Sequence, residues 1–393
     1  MAELSDFGQF ETALTREGEV GARLRLLRLD QLSDHDIGRW IDLATATSTA
    51  SAFAQPWFLR AALTHCDPDR LARLAVVELP GGTWAGAFPL ARKALHGRAP
   101  LPNWHSWRHP NQFVSAPLVR AGLDQLFWQT LIDGLEQGSG PELALCLSDL
   151  PLDDPASDAL FALCSAENRA VVFDRRIERP VLNGKASPTM EPKQRRRLAS
   201  LERKLGRELG EPEYLITRDA AEIEGQTEAF LALERSGWKG NCGSALACSV
   251  NTQSFFTEVL REGSRVRGIE FASLRAGGTL LAFSTLLIGQ GRSYGFKMAY
   301  EESGARFAPG LLLLNWLTAR HCQVGYDQPI DSCTAPGSQP AARLWPDRCA
   351  LIDLRIALGG PMRRAAMQAV IAGEGAYSWL KRLTAGPREP AKP

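Results

Sequence analysis

Apolar and polar positions alternate with a period of two in RLRLLRLDQL, from Arg23, and the apolar runs LARLAVVEL and TWAGAFPLARKAL lie on either side of a Pro-Gly-Gly turn. Strand side chains point alternately to two faces, so this spacing predicts a strand and then a hairpin. DIGRWIDLATAT between them has helical spacing. Further on, AAEIEGQTEAFLALERSGWKG and TQSFFTEVLREG predict two helices, and RGIEFASLR, TLLAFSTLLIG and RSYGFKMAY three successive strands. FAPGLLLLNWLTARHC then opens a helix directly from a Pro-Gly turn. VGYDQPIDSC is a short strand or turn, and CALIDLRIA a last strand.

The first hairpin turns on Gly81, Gly82 and Thr83, and the second on Gly277, Gly278 and Thr279, 196 residues later. Strand, glycine turn and apolar strand recur together at half the chain length, as a duplicated domain requires. Tight turns join only antiparallel strands. The expected fold is therefore α+β, with tandem domains that each contain a mixed, mainly antiparallel sheet flanked by helices. The polar, proline-bearing stretch FDRRIERPVLNGKASPTMEPKQ separates the halves. This gives a flexible arm over 1–20, an N-terminal domain over 21–185, a C-terminal domain over 186–360 and a basic tail over 361–393.

After the boundary, Leu198, Leu201, Leu205 and Leu209 share one face of a helix whose other faces carry Lys193, Arg195, Arg196, Arg197, Arg203, Lys204 and Arg207. That is either a solvated amphipathic helix or a basic wall meeting phosphate on a cofactor or anionic lipid. The whole chain is 45% apolar and 23% charged over 393 residues, with net charge +1, a globular composition without the excess charge of a nucleic-acid-coating protein. No apolar run approaches the roughly 20 residues of a membrane span, and the N-terminus has no secretory pattern. The expected location is cytoplasmic, with room for peripheral contact at an anionic inner membrane. The eight cysteines show no zinc-type spacing, so no metal is expected; Cys333 stands out only for its polar surroundings.

LERSGWKG, SYGFKMAYEES, FAPGLLLL and DSCTAPGSQPAARLWPDR together resemble the CelD-like acetyltransferase family, a branch of the GNAT superfamily related to the FemABX peptidyltransferases. The resemblance is concentrated in residues 187–350. It implies tandem GNAT-like domains and direct attack of an amine or hydroxyl on an acyl-CoA thioester, without a cysteine or serine nucleophile. Pro309, Gly310 and Leu311 open a helix whose free N–H groups suit the donor's pyrophosphate, and Arg306 adds charge. An ordinary helix start is the alternative. Lys297 contacts donor phosphate or acceptor, or else reaches solvent from a strand face.

Glu234 and Trp238, four apart, fall on one face if the helix continues, offering a carboxylate and an apolar wall to an amine acceptor. Otherwise Trp238 fills the core and Glu234 pairs with Lys239 or Arg235. Asp331 is the first candidate for general base and Glu234 the second. Tyr300 and His321 are placed with the substrate, His321 alternatively being packed. In the N-terminal half His105, Trp107, Arg108, His109 and Asn111 form a polar aromatic cluster, from which His105 and Arg108 are assigned to the acceptor cleft. Relatives often carry a lysine where Ala341, Ala342 and Arg343 stand, and Arg343 is its replacement.

The activity expected is N-acylation in envelope lipid or polysaccharide biosynthesis, with an amino-lipid acceptor, as in a bacterial ceramide synthase, as one form. The alternatives are transfer from aminoacyl-tRNA and a non-catalytic accessory module.

Overall fold

A computed structural model of the chain describes residues 21–96, 101–138, 140–183, 190–324, 328–335 and 339–384. The arm over 1–20 and the boundary near 186 lie outside them. The N-terminal half runs β1 (Arg23–Leu27), α1 (Asp34–Thr45), α2 (Pro56–His65), β2 (Arg73–Glu78), β3 (Trp84–Lys93), β4 (Asn103–Ser106), β5 (Leu118–Val119), α3 (Asp124–Gln137), β6 (Ala144–Pro151), α4 (Pro155–Ala166) and β7 (Val171–Leu182). The C-terminal half runs α5 (Pro192–Leu209), β8 (Pro212–Thr217), α6 (Ile223–Ser236), α7 (Trp238–Asn241), α8 (Val250–Arg265), β9 (Ile269–Ala276), β10 (Thr279–Ile288), β11 (Ser293–Tyr300), α9 (Pro309–Val324), β12 (Ile330–Asp331), α10 (Gln339–Leu344), β13 (Asp347–Ala357) and α11 (Pro361–Thr384).

The two glycine turns behave as their sequence requires. Gly277 and Gly278, with φ of 54° and 81°, form a two-residue turn between Ala276 and Thr279, which demands the left-handed region at both positions, while Gly81 and Gly82, at 84° and 89°, lie in a three-residue loop between Leu79 and Thr83. Each turn joins an antiparallel pair, β2 with β3 and β9 with β10.

All strands belong to one 13-stranded sheet in the order β1, β2, β3, β4, β6, β13, β7, β12, β11, β10, β9, β8, with β5 on β3. The halves repeat one another across it, except that they exchange their last strands. β13 pairs with β6, β7 pairs with β12, and the exchanged strands run antiparallel from Asp347 beside Val181 to Ile356 beside Val171. Residues 173–182, expected to be part of a linker, are thus an interior strand. Arg175 pairs with Asp353 at 2.6 Å and Arg355 with Asp174 at 2.7 Å, so charges complement charges across the ladder. With its exposed positions filled by charges, β7 lacks the apolar alternation that reveals a strand.

One face of the sheet carries a core common to both halves. Phe53 and Phe58 of the N-terminal half meet Tyr294 and Phe255 of the C-terminal half edge to face, with centroids 5.2 and 5.5 Å apart. Such pairs add about 0.5–1.5 kcal/mol each beyond burial, which fixes the halves against each other. On the opposite face the cores are separate, one under α3 and α4 and one under α5 and α9. In α5, Leu198 and Leu205 are buried, whereas Leu209 is exposed at the helix end. Among the described residues no helix is long and apolar enough to cross a membrane.

Arg179 of β7 is buried where the exchanged strand meets β12. Its guanidinium pairs with the carboxylate of Asp331 and donates to the Phe113 carbonyl at 2.9 Å. Removing one partner strands the other charge in the interior. Arg179→Met is therefore expected to destabilise by about 3–5 kcal/mol, and Arg179→Met with Asp331→Leu to recover most of the loss, measured as urea midpoints. The exchange also predicts that residues 21–183 alone do not unfold cooperatively, because β6 and β7 then lack β13. Co-expression with residues 190–384 is expected to restore a single thermal transition, read by circular dichroism.

Candidate active site

The site begins with an irregularity in β11. Thr285 of β10 lies opposite Lys297, and Leu286 opposite Gly295, so Phe296 is an extra residue in the ladder. Such a bulge puts two consecutive side chains on one side, here Phe296 and Lys297 on the face of the common core. The ammonium of Lys297 accordingly sits 5.5 Å from the Phe296 ring centroid and 5.3 Å from that of Phe113. The Lys297 N–H donates to Thr285 Oγ1 at 3.1 Å, which pins the bulge.

On its other edge β11 pairs with β12 through two residues only, Ser293 with Ile330 and Tyr294 with Asp331, and then the strands part. Gly295 marks the closest approach beyond that point: a β-carbon there would lie 3.0 Å from the Ser332 carbonyl oxygen. The gap opens into a cleft of about 240 Å³ lined by Gly295, Phe296, Met298, Leu317, Cys333 and Trp345, among others, and Lys297 reaches it as well. An extended chain laid there would lie along the edge of β11 that β12 has left, as an added strand does.

α9 starts at the mouth of this gap. Ala308 is left-handed (φ 52°), turning the chain abruptly into Pro309, whose missing N–H costs nothing at a helix start. A β-carbon on Gly310 would be 3.4 Å from Met298 Sδ, so the helix begins against the strand that edges the cleft. The N–H groups of Leu311 and Leu312 both turn back to the Ala308 carbonyl, each at 3.0 Å. Leu311 thus has its own acceptor, which leaves Gly310 as the nearest N–H for an anion. Arg306 turns instead to Glu208 of α5, at 2.8 Å, and covers the Phe307 ring.

Lys297 is held from the N-terminal half. Asn111 Oδ1 accepts from its Nζ at 2.7 Å, and the Asn111 N–H points at Nδ1 of His109 at 3.4 Å. Burial, and then the nearby Lys239, bring the Lys297 ammonium down to about 8. His109, packed against Phe58 and Phe255, is brought down to about 3 by burial and then by Lys297, and is neutral. The residues of the N-terminal cluster that reach the site are therefore Asn111 and His109. His105, assigned there from sequence, lies on β4 between Ala91 and Cys146, and Arg108 is turned to Asp149 at 2.7 Å. The cluster was legible as a dense patch; which members face Lys297 depends on the course of the loop after β4.

LERSGWKG is not one continuous helix. Gly237 is extended (φ −90°, ψ −170°) and separates α6 from α7, so Glu234 and Trp238 do not share a helical face. Glu234, 4% exposed, accepts from Lys239 Nζ at 2.7 Å and from the Leu246 N–H at 2.8 Å. Lys239 also donates to the Met298 carbonyl at 3.1 Å. The stretch straps the segment before α8 onto β11, and pairing with Lys239 is what occupies Glu234. Trp238 is not in the core: it is 56% exposed, beside Tyr300, and its backbone N–H donates to Glu302 Oε1 at 3.2 Å.

Asp331 is 1% exposed, with one oxygen on Arg179 and the other accepting from the Cys333 N–H at 2.8 Å. Both oxygens are engaged, so the arrangement suits Asp331 to holding β12. Burial and then Asp331 keep the Cys333 thiol protonated well above its usual range. Tyr300 lies near Gly310, whose β-carbon would be 3.8 Å from its ring. His321 is outside the cleft, in a larger cavity toward the C-terminal end of α9, and Arg343 is exposed on α10.

Residues 192–335 match the model of the acetyltransferase (GNAT) domain. No curated protein matches the chain. Among solved structures, a conserved protein of unknown function from Bacteroides thetaiotaomicron is 10% identical over 83% of this chain and 97% of its own, with a TM-score of 0.50. FemX is 8% identical over 82% and 95%, also at 0.50. The C-terminal domain of a putative lysylphosphatidylglycerol synthetase from Agrobacterium fabrum is 12% identical over 84% and 95%, at 0.48. At these identities the likeness to the first two concerns the fold. The chain has a GNAT-like fold, with a GNAT-type acetyltransferase domain over residues 192–335.

Proposed function

We propose that this protein is an acyl-CoA-dependent acyltransferase of CelD-like type that acylates an amine or hydroxyl acceptor in envelope lipid or polysaccharide biosynthesis. The observation that carries the reading is the parting of β11 from β12 beside a bulge and a helix start. The donor's phosphates would meet the first turn of α9 at Gly310, whose N–H precedes the helical ladder and where the helix dipole favours an anion. Its pantetheine arm would follow the free edge of β11, bringing the thioester to the bulge.

The acceptor would approach on the other face, where Lys297 stands between Phe113 and Phe296 under the Asn111 loop. Nucleophile and thioester carbon form the new bond as the carbon–sulfur bond breaks and the CoA thiolate leaves. In its neutral form Lys297 takes the proton from the attacking group; an amine lowered to about 8 is well matched to that work near neutral pH. Asn111 positions it, so the two halves build the site together. Trp238, exposed beside Tyr300, offers a flat wall at the cleft's edge.

Gly310→Asp would place a carboxylate where phosphate is to bind. It is expected to weaken free CoA at least tenfold by calorimetry, with the thermal unfolding of the ligand-free protein unchanged within a few degrees. Equal affinity for CoA in both proteins would remove α9 from the donor site. A second expectation concerns pH. Only the neutral amine accepts a proton, so turnover should rise with pH toward a plateau above about 8. Lys297→Arg, charged throughout, should lose about 10²-fold or more and show no such rise. A rise of the same midpoint in Lys297→Arg would assign the titration to another group.

A further inference from the structure

The larger cavity near the end of α9 has about 750 Å³ and is lined by Arg218, Glu270, Leu286, Ile288, His321 and Ile330, among others. Leu286 and Ile330 also line the cleft between β11 and β12, so the two spaces meet at these side chains. The junction lies on the α9 face of the sheet: the strands themselves close at Ser293 and Tyr294, while Leu286, Ile330, Leu314 and Leu317 belong to the core under α9. Leu286 and Ile330 are thus the apolar boundary that the two spaces share under α9.

Size and polarity say what would use it. Pockets that enclose drug-sized ligands measure about 300–1,000 Å³. The cleft, at about 240 Å³, lies below that range and leaves little room beyond a pantetheine arm and a short acyl group. The second cavity is large enough for more. Its inner end places buried Leu286 and Ile330 and half-buried Ile288 as an apolar strip beside the buried polar side chains of Glu270, Ser293 and His321, whereas Arg218, Asp219 and Arg267 at its mouth are exposed. Arg218 is paired there with Glu270 at 2.6 Å.

We propose that this cavity receives the distal carbons of a transferred acyl group longer than acetyl, which pass over Leu286 and Ile330 and run out along Ile288 toward the charged mouth. The inference rests on the donor reading of the cleft and adds the class of donor to it: a medium- or long-chain acyl thioester. The chain's own contribution is apolar contact, so no bond forms or breaks in the cavity.

The test is calorimetric titration of the full chain with CoA, acetyl-CoA and octanoyl-CoA. Octanoyl-CoA is expected to bind at least tenfold more tightly than acetyl-CoA. Ile288→Trp, which fills the cavity from a half-buried position outside the cleft, should abolish that gain and leave CoA and acetyl-CoA within about twofold of wild type; Ile288→Phe should give a partial loss if the larger ring impairs folding. Equal affinities for acetyl- and octanoyl-CoA in the wild type overturn the proposal while sparing the donor site. An octanoyl gain that survives both substitutions overturns the placement of the tail. Failure of all three thioesters and free CoA to bind removes the donor reading itself, and the tail with it.

Discussion

A buried ion pair, Arg179 with Asp331, underlies the geometry of the cleft. Both charges are taken out of water, which is costly unless each is fully engaged. Here the guanidinium reaches the carboxylate and the Phe113 carbonyl, and the remaining carboxylate oxygen takes the Cys333 N–H. Three segments distant in sequence are thereby set against one another: the exchanged strand β7, the short strand β12, and the loop that carries Asn111 to Lys297. β12 has only two residues paired on either side, far too few to hold a strand in place by ladder bonds alone. The ion pair keeps it beside β11 at one end while it departs at the other.

The halves are repeats in architecture and unequal in chemistry. β4 and β6 form the same parallel junction in the N-terminal half that β11 and β12 form in the C-terminal half. The cleft with an extra residue in its strand and a helix starting at its mouth belongs to the C-terminal copy. What the N-terminal copy supplies is a loop, with Asn111 on the ammonium and Phe113 beneath it. Duplication thus yields one half that carries the cleft and one that supports it, locked together by the aromatic core they share.

Much of the fold was legible in the sequence because period and punctuation coincide. The hairpins at Gly81–Gly82 and Gly277–Gly278, the helices around Trp40 and Phe255, and the Pro-Gly opening of α9 all follow from local rules. β7 was not legible, since its alternating partners are charges whose complements, Asp353 and Arg355, arrive some 180 residues later. The candidate site shows the same division. Lys297, Gly310 and the Asn111 cluster could be picked out by chemistry. That Glu234 is consumed by Lys239 and Asp331 by Arg179 depends on contacts between distant segments. The break at Gly237 was present as a residue, but a single glycine leaves open whether a helix bends, ends or continues.

The exchange of β7 and β13 has a bearing on how the chain is made. During synthesis the first half emerges with β6 and β7 complete, yet the strand that belongs between them follows only after β8 to β12 have been made. An N-terminal domain normally folds as soon as it is out. Here two sheet edges stay open until β13 arrives, and open edges are where one chain pairs with another. The charges along Asp174, Arg175 and Arg176 then have a second value: they keep a waiting strand from accepting the wrong neighbour.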